Sequence, residues 1–158
     1  MTEDDFRTYI AAFNARDFAG FSKYYADDVE FNLGDRKQII GAAGIVEFYT
    51  GVFEHIAEEL EILDLIVAPD GAALHSRTKF TTIKDWPDFE LWSTMTGDVR
   101  VVESINMYRT ANGKIVKILS GRYSSTCRPA SRGWARASPR ARSGSRFRPR
   151  RCSRSSGC

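Results

Sequence analysis

The chain has 158 residues, 42% hydrophobic and 12% aromatic, enough to bury one core but short for two domains. Its formal charge of +3 conceals a division: all 20 acidic residues lie before residue 124 beside 13 Lys and Arg, while residues 124–158 hold ten arginines and no acid. No apolar run approaches the roughly 20 residues that span a bilayer, MTEDDFRTYI lacks the basic and apolar regions of a secretory signal, and Cys127, Cys152 and Cys158 all fall in the basic tail. The expectation is a cytoplasmic protein whose body has no disulfide framework.

The first element reads as a helix with Phe6, Tyr9, Ile10 and Phe13 on one stripe, and Thr2 and Asp5 are spaced as a capping box. A short second helix starts at Asp17 as N-cap and offers Phe18, Phe21 and one or both of Tyr24 and Tyr25 to the core. DDVEFNL, residues 27–33, alternates as a strand, and GDRKQIIG reads as a turn. A third helix over residues 43–56 carries Ile45, Phe48, Val52, Phe53 and Ile56 on one face.

Everything after it looks like sheet. EELEILDLIVA is a strand, and the PDG turn at 69–71 folds it back onto ALHSRTKF. The loop DWPDFELWSTMTGD separates that strand from VRVVESINMYRT, and Asn112-Gly113 predicts a tight hairpin into KIVKILSGRY. The expected order is helix, helix, strand, helix, then four strands, with the domain ending near Tyr123.

The opening YIAAFNARDFAGFSKYYADDVEF, the helix with IVEFY and the closing hairpin with NGK resemble the SnoaL-like and ketosteroid-isomerase-like branches of the nuclear transport factor 2-like superfamily over residues 5–123. The resemblance implies an α+β cone, a curved antiparallel sheet wrapped around three N-terminal helices, with a largely apolar pocket and a homodimer. It does not carry one reaction over. The epoxide hydrolase branch places an Arg and an Asp at Arg77 and Lys79, a further Asp near Ser120, and a Tyr and an Asn near Phe31 and Leu33, so its carboxylates are missing. The isomerase branch places an oxyanion-hole tyrosine at Tyr9, but its base falls on Leu33 and its second donor near Ile105. The histidine pair of scytalone dehydratase has no match in His55 and His75.

The borrowed register turns the odd-numbered face of strands 73–85 and 98–110 inward. His75, Arg77 and Lys79 would then face Glu103, itself flanked by Val101, Ile105 and Met107. Glu103 is expected as general acid or base, His75 as a second proton carrier, Arg77 or Lys79 as stabiliser of an enolate-like oxygen, and Tyr9 as an oxyanion donor. Phe13, Tyr24, Phe31, Leu33, Phe48, Ile105, Met107 and Ser120 complete the substrate-binding lining. Alternation alone permits the inverse, with Leu74, Thr78, Phe80, Val102 and Tyr108 inward and the charges on the outer surface, where Val101, Ile105 and Met107 could form a dimer contact. Trp86 and Trp92 flank Pro87 as a possible lid.

No metal-ligand set, phosphate-binding loop or nucleophile triad is present in the sequence, and no cofactor is expected. The pocket is expected to take a small hydrophobic carbonyl compound, for isomerisation, cyclisation or dehydration. The alternative is a non-catalytic binding or dimerisation module. The Arg/Ser-rich tail, 124–158, has the composition of a GC-rich stretch read in an unselected frame, and is expected to be a frameshift or gene-model artefact. A disordered basic segment that binds nucleic acid is the other reading.

Overall fold

The computed structural model describes residues Met1–Ala130. The elements in chain order are α1 (Glu3–Asn14), α2 (Phe18–Ser22), β1 (Tyr25–Leu33), β2 (Lys37–Ile40), α3 (Ala42–His55), β3 (Ile56–Ala68), β4 (Gly71–Thr82), β5 (Val99–Ala111) and β6 (Lys114–Arg128). Thr2 and Asp5 form the expected capping box: the Asp5 amide donates to Thr2 Oγ1 at 3.2 Å, and the Thr2 amide donates to Asp5 Oδ2 at 2.7 Å. Those bonds to Thr2 hold the Asp5 carboxyl below its ordinary range. Asp17 caps α2 through the Gly20 amide.

The six strands form one curved, open sheet in the order β2-β1-β6-β5-β4-β3. Among the described residues only β1 and β6 run parallel; the other neighbours there are antiparallel. Asn112 and Gly113 both take positive φ, 52° and 75°, as a two-residue hairpin of this twist requires. At the other hairpin Gly71 is needed for space, because a Cβ there would stand 2.1 Å from the Tyr108 carbonyl oxygen.

The helices cover the concave face. Phe6, Tyr9, Ile10 and Phe13 of α1, Phe21 of α2, and Ile45, Val52 and Phe53 of α3 form one core with Val29, Phe31, Leu74, Tyr108, Ile115 and Ile118 of the sheet. Burying such side chains is worth about 1.5–3 kcal/mol each, which is why the helix stripes alone suffice to dock them.

Two expectations need correction. KQII, read as turn, pairs with β1 as edge strand β2; four residues between Gly34 and Gly41 are too few for a period to show. The last strand does not stop at Tyr123 either, since Ser125, Thr126, Cys127 and Arg128 pair with Val102, Val101, Arg100 and Val99. The rest of the basic tail lies outside the described residues.

Candidate functional site

Side chains on the concave face of β3, β4 and β5 fall in rows set by the register. Glu58, Phe80 and Arg100 form one row, and Leu60, Thr78 and Val102 the next. Ile62, Ser76 and Ser104 follow, with Arg122 of β6 beside Ser104. Leu65, Leu74, Asn106 and Ser120 come next, then Val67, Ala72, Tyr108 and Ile118. Between these rows and the helices lies a cavity of about 740 Å³.

The even-numbered residues of β4 and β5 therefore face the cavity, and the odd-numbered face expected inward is the outer one. His75, Arg77, Lys79 and Glu103 lie on the convex surface, as do Ile105 and Met107, which are 51% and 45% exposed. The reason is polar self-sufficiency. The Ser76 and Ser104 hydroxyls are 3.1 Å apart, and the Asn106 amide donates to both, at 3.0 and 3.2 Å. A face that looks hydrophilic in sequence is buried because its groups satisfy one another. One residue of register error then moved every side chain to the wrong face.

On the convex surface the charges form a ladder. Arg77 donates to Glu103 through Nε and Nη2 and to Glu61 through Nη1, while Lys79 pairs with Glu59. Tyr123 donates to Glu103 Oε2 at 2.6 Å, and His75 bridges Tyr123 and Asp64. The Tyr123 hydroxyl, with Arg77 after it, holds the Glu103 carboxyl below its ordinary range. This Glu103 is an ionised surface group, tied up by its partners, and not a proton carrier facing a pocket.

Of the other expected site residues, Tyr9, Phe13, Phe31, Leu33, Phe48 and Ser120 line the cavity. Tyr24 does not; it packs edge-on against Tyr9. At the inner end the Tyr9 and Tyr25 hydroxyls are 2.9 Å apart. Burial pushes the pKa of Tyr9, Tyr25, Tyr49 and Tyr108 well above the ordinary phenol value, so all four stay protonated hydrogen-bonding groups.

The group the sequence reading missed is Glu58, early in β3. It lines the cavity, is shielded from bulk solvent, and its Oε2 has no hydrogen-bond partner. Its side chain keeps some surface toward the cavity. Desolvation pushes its pKa from 4.5 to about 8, against a smaller opposing pull from Arg16. The Glu58 charge in turn adds to the upward shift of Tyr49. The signal was present in EELEIL: Glu58 has the parity of Ile56, Leu60 and Ile62, while Glu59 and Glu61 alternate outward.

The loop from Ile83 to Asp98 closes one side of the cavity. Phe89, Leu91 and Trp92 face the space, whereas Trp86 stacks on Phe89 and lies against His55. The Thr82 and Thr94 hydroxyls, 2.6 Å apart and buried, fix the loop to the end of β4. Among the described residues no three His, Cys, Asp or Glu side chains cluster as a metal site, and no helix is long and apolar enough to cross a membrane.

Solved structures share this architecture. A protein assigned as a polyketide cyclase from Pseudomonas putida KT2440 is 22% identical and superposes with a TM-score of 0.63 over 73% of this chain and 86% of its own. A limonene-epoxide-hydrolase-like enzyme of M. tuberculosis is 11% identical, with a TM-score of 0.61 over 76% and 80%. A protein assigned as a ketosteroid isomerase from Kribbella flavida DSM 17836 is 16% identical, with a TM-score of 0.59 over 87% and 89%. No curated protein matches the chain. The model of the SnoaL-like domain matches residues 6–118, and with the cone-shaped fold around one cavity this establishes that the chain belongs to the SnoaL-like family.

Proposed function

We propose that the chain is a cofactor-independent acid/base catalyst acting on a small hydrophobic carbonyl compound, as an isomerase, cyclase or dehydratase, with Glu58 as the group that moves the proton. One observation carries this reading: a carboxyl with an unpartnered oxygen, pushed to a pKa of about 8, faces a cavity lined mostly by apolar and aromatic side chains. A catalytic carboxyl works best when its pKa lies near the working pH, and burial is the usual means of moving it there. The ionised form takes a proton from the carbon beside the carbonyl, and the protonated form returns it at a second carbon or to a leaving oxygen. Tyr49 also lines the cavity, and burial keeps its hydroxyl protonated. It is therefore available to donate to the oxygen on which charge develops.

The names of the structural neighbours, cyclase, isomerase and hydrolase, support the same class of chemistry. The test needs no knowledge of the natural substrate. In D2O, 2-tetralone should exchange its α-hydrogens faster with the protein than without, with a catalysed rate that is half-maximal near pH 8 and levels off above about pH 9. Glu58→Gln should reduce the catalysed exchange at least 100-fold. If that variant exchanges as fast as the native chain, Glu58 is not the base. If neither accelerates exchange while both bind the ketone, the non-catalytic binding module is the better description.

The convex face supports a homodimer. Met107 lies between Ala73 and Leu119, and Ile105 beside His75, giving an apolar strip across β4, β5 and β6. Light scattering should give twice the monomer mass, and Ile105→Lys with Met107→Lys should halve it.

A further inference from the structure

Three arginines, Arg36, Arg100 and Arg122, line the cavity at the side bounded by Leu91 and Trp92. Arg36 donates to the Leu91 carbonyl at 2.7 Å. The other two converge on one ring: the guanidinium carbon of Arg100 lies 5.0 Å and that of Arg122 5.4 Å from the centroid of Trp92. Both guanidinium groups thus lie against the same indole. Neither has a carboxylate partner among the described residues. Asp35 lines the same cavity but pairs with neither, and Glu90 nearby is taken by Lys37.

Arg100 is the stronger anomaly. Its Nη1 donates to Ser125 at a long 3.3 Å, while its Nε is buried and has no partner. A buried guanidinium N–H left without an acceptor is costly, the more so because the group is charged. Elsewhere the protein provides counter-ions freely: Arg77, Lys79 and Arg109 on the outer surface each have a carboxylate. Partial desolvation, with the charges of Arg100 and Arg36 behind it, lowers the pKa of Arg122.

The register gives this cluster a position relative to Glu58. Glu58, Phe80 and Arg100 share a row across β3, β4 and β5, so the backbones at Glu58 and Arg100 are two strand spacings, about 10 Å, apart across the sheet. Phe80 lies between them, edge-on to Trp92.

We propose that the cavity takes a hydrophobic organic acid, whose carboxylate is held by Arg100 and Arg122 beside Trp92 and whose apolar body passes over Phe80 toward Glu58. Guanidinium groups suit this because their N–H pairs match the two oxygens of a carboxylate. Arg100 and Arg122 have no carboxylate partner among the described residues, so the ligand supplies the charge that faces them. This deepens the acid/base reading, on which it rests only for the direction in which the ligand's body points.

The test compares 2-naphthoate with 2-naphthamide, equal in shape and different in charge, by calorimetric titration of the full chain at pH 7. The native protein should bind the acid at least 10-fold more tightly than the amide. Arg122→Met and Arg100→Met should each bring that preference below 3-fold. Arg122 is on the exposed rim of β6, so its variant keeps the test intact should Arg100→Met fail to fold. The arginines after residue 130 are present in every sample, so a preference that survives Arg122→Met arises elsewhere and overturns the proposal. Equal affinity for the two ligands in the native chain also overturns it. Glu58→Gln should retain the preference while losing exchange of 2-tetralone. Absent preference with exchange still abolished by Glu58→Gln would sink the acid site and leave the catalytic reading standing.

Discussion

Glu58 should make the stability of the fold depend on pH in a direction opposite to that of most carboxylates. In the unfolded chain it ionises near 4.5; in the fold it holds its proton to about 8. Between those values the folded state binds a proton that the unfolded state has released, so stability falls as pH rises. At about 1.4 kcal/mol per pH unit, the ceiling on the loss is about 3 kcal/mol by pH 7 and about 5 kcal/mol above pH 9. The side chain keeps some exposed surface, and screening there makes half of that ceiling the expected loss. Glu58→Gln removes the ionisation while keeping the shape. Its melting temperature should match that of the native chain at pH 5 and exceed it by about 10 °C at pH 9, taking roughly 4 °C per kcal/mol for a domain of this size. Thermal denaturation of both proteins from pH 5 to 9 measures the difference directly. Parallel curves would refute the reasoning, because they would mean that Glu58 ionises in the fold as it does in the unfolded chain.

Other substitutions test the remaining geometry by chemical denaturation. Asn106→Ala strips the Ser76 and Ser104 hydroxyls of their shared donor and leaves a void, and should cost about 1–3 kcal/mol. Tyr25→Phe breaks a single buried hydroxyl pair with Tyr9 and should cost about 1 kcal/mol. Gly71→Ala forces a Cβ into the Tyr108 carbonyl and should lower the melting temperature by more than either. Arg77→Met removes surface pairs to Glu103 and Glu61, and should change the melting temperature by less than about 3 °C and leave 2-tetralone exchange unaltered.

The helices were legible because a stripe at spacings of three and four has one solution: Phe6, Tyr9, Ile10 and Phe13 can face only one way. The Asn112-Gly113 turn was legible for a similar reason, since few residues accept two positive φ angles in succession. Facing in the sheet was not. On β5 the odd positions Val101, Ile105 and Met107 are apolar, whereas the even positions include Arg100, Ser104 and Asn106, so composition points outward for the face that is buried. What decides the matter is a hydrogen-bond network spanning β4 and β5, and such pairing across strands has no local signature. Glu58, like Glu103, is a carboxylate among apolar residues of like parity, and it does line the cavity. The concave side of β3 is also fixed by α1, whose Asn14 binds the Leu60 backbone through its amide nitrogen and oxygen.

The length of β6 bears on how this chain can be cut. Compositional bias begins at Ser124, the natural place to shorten a recombinant version, yet Ser125 to Arg128 form the ladder that covers the first turnings of β5, and the Ala130 amide donates to Asp98 at 2.8 Å. Cutting at Tyr123 would lay bare the backbone of Val99 to Val102 as an unpaired edge, a template for aggregation, and would remove the serine that steadies Arg100. Ser124 and Ser125 line the cavity and the residues after them complete the sheet beside it, so a trimmed protein should keep everything through Ala130.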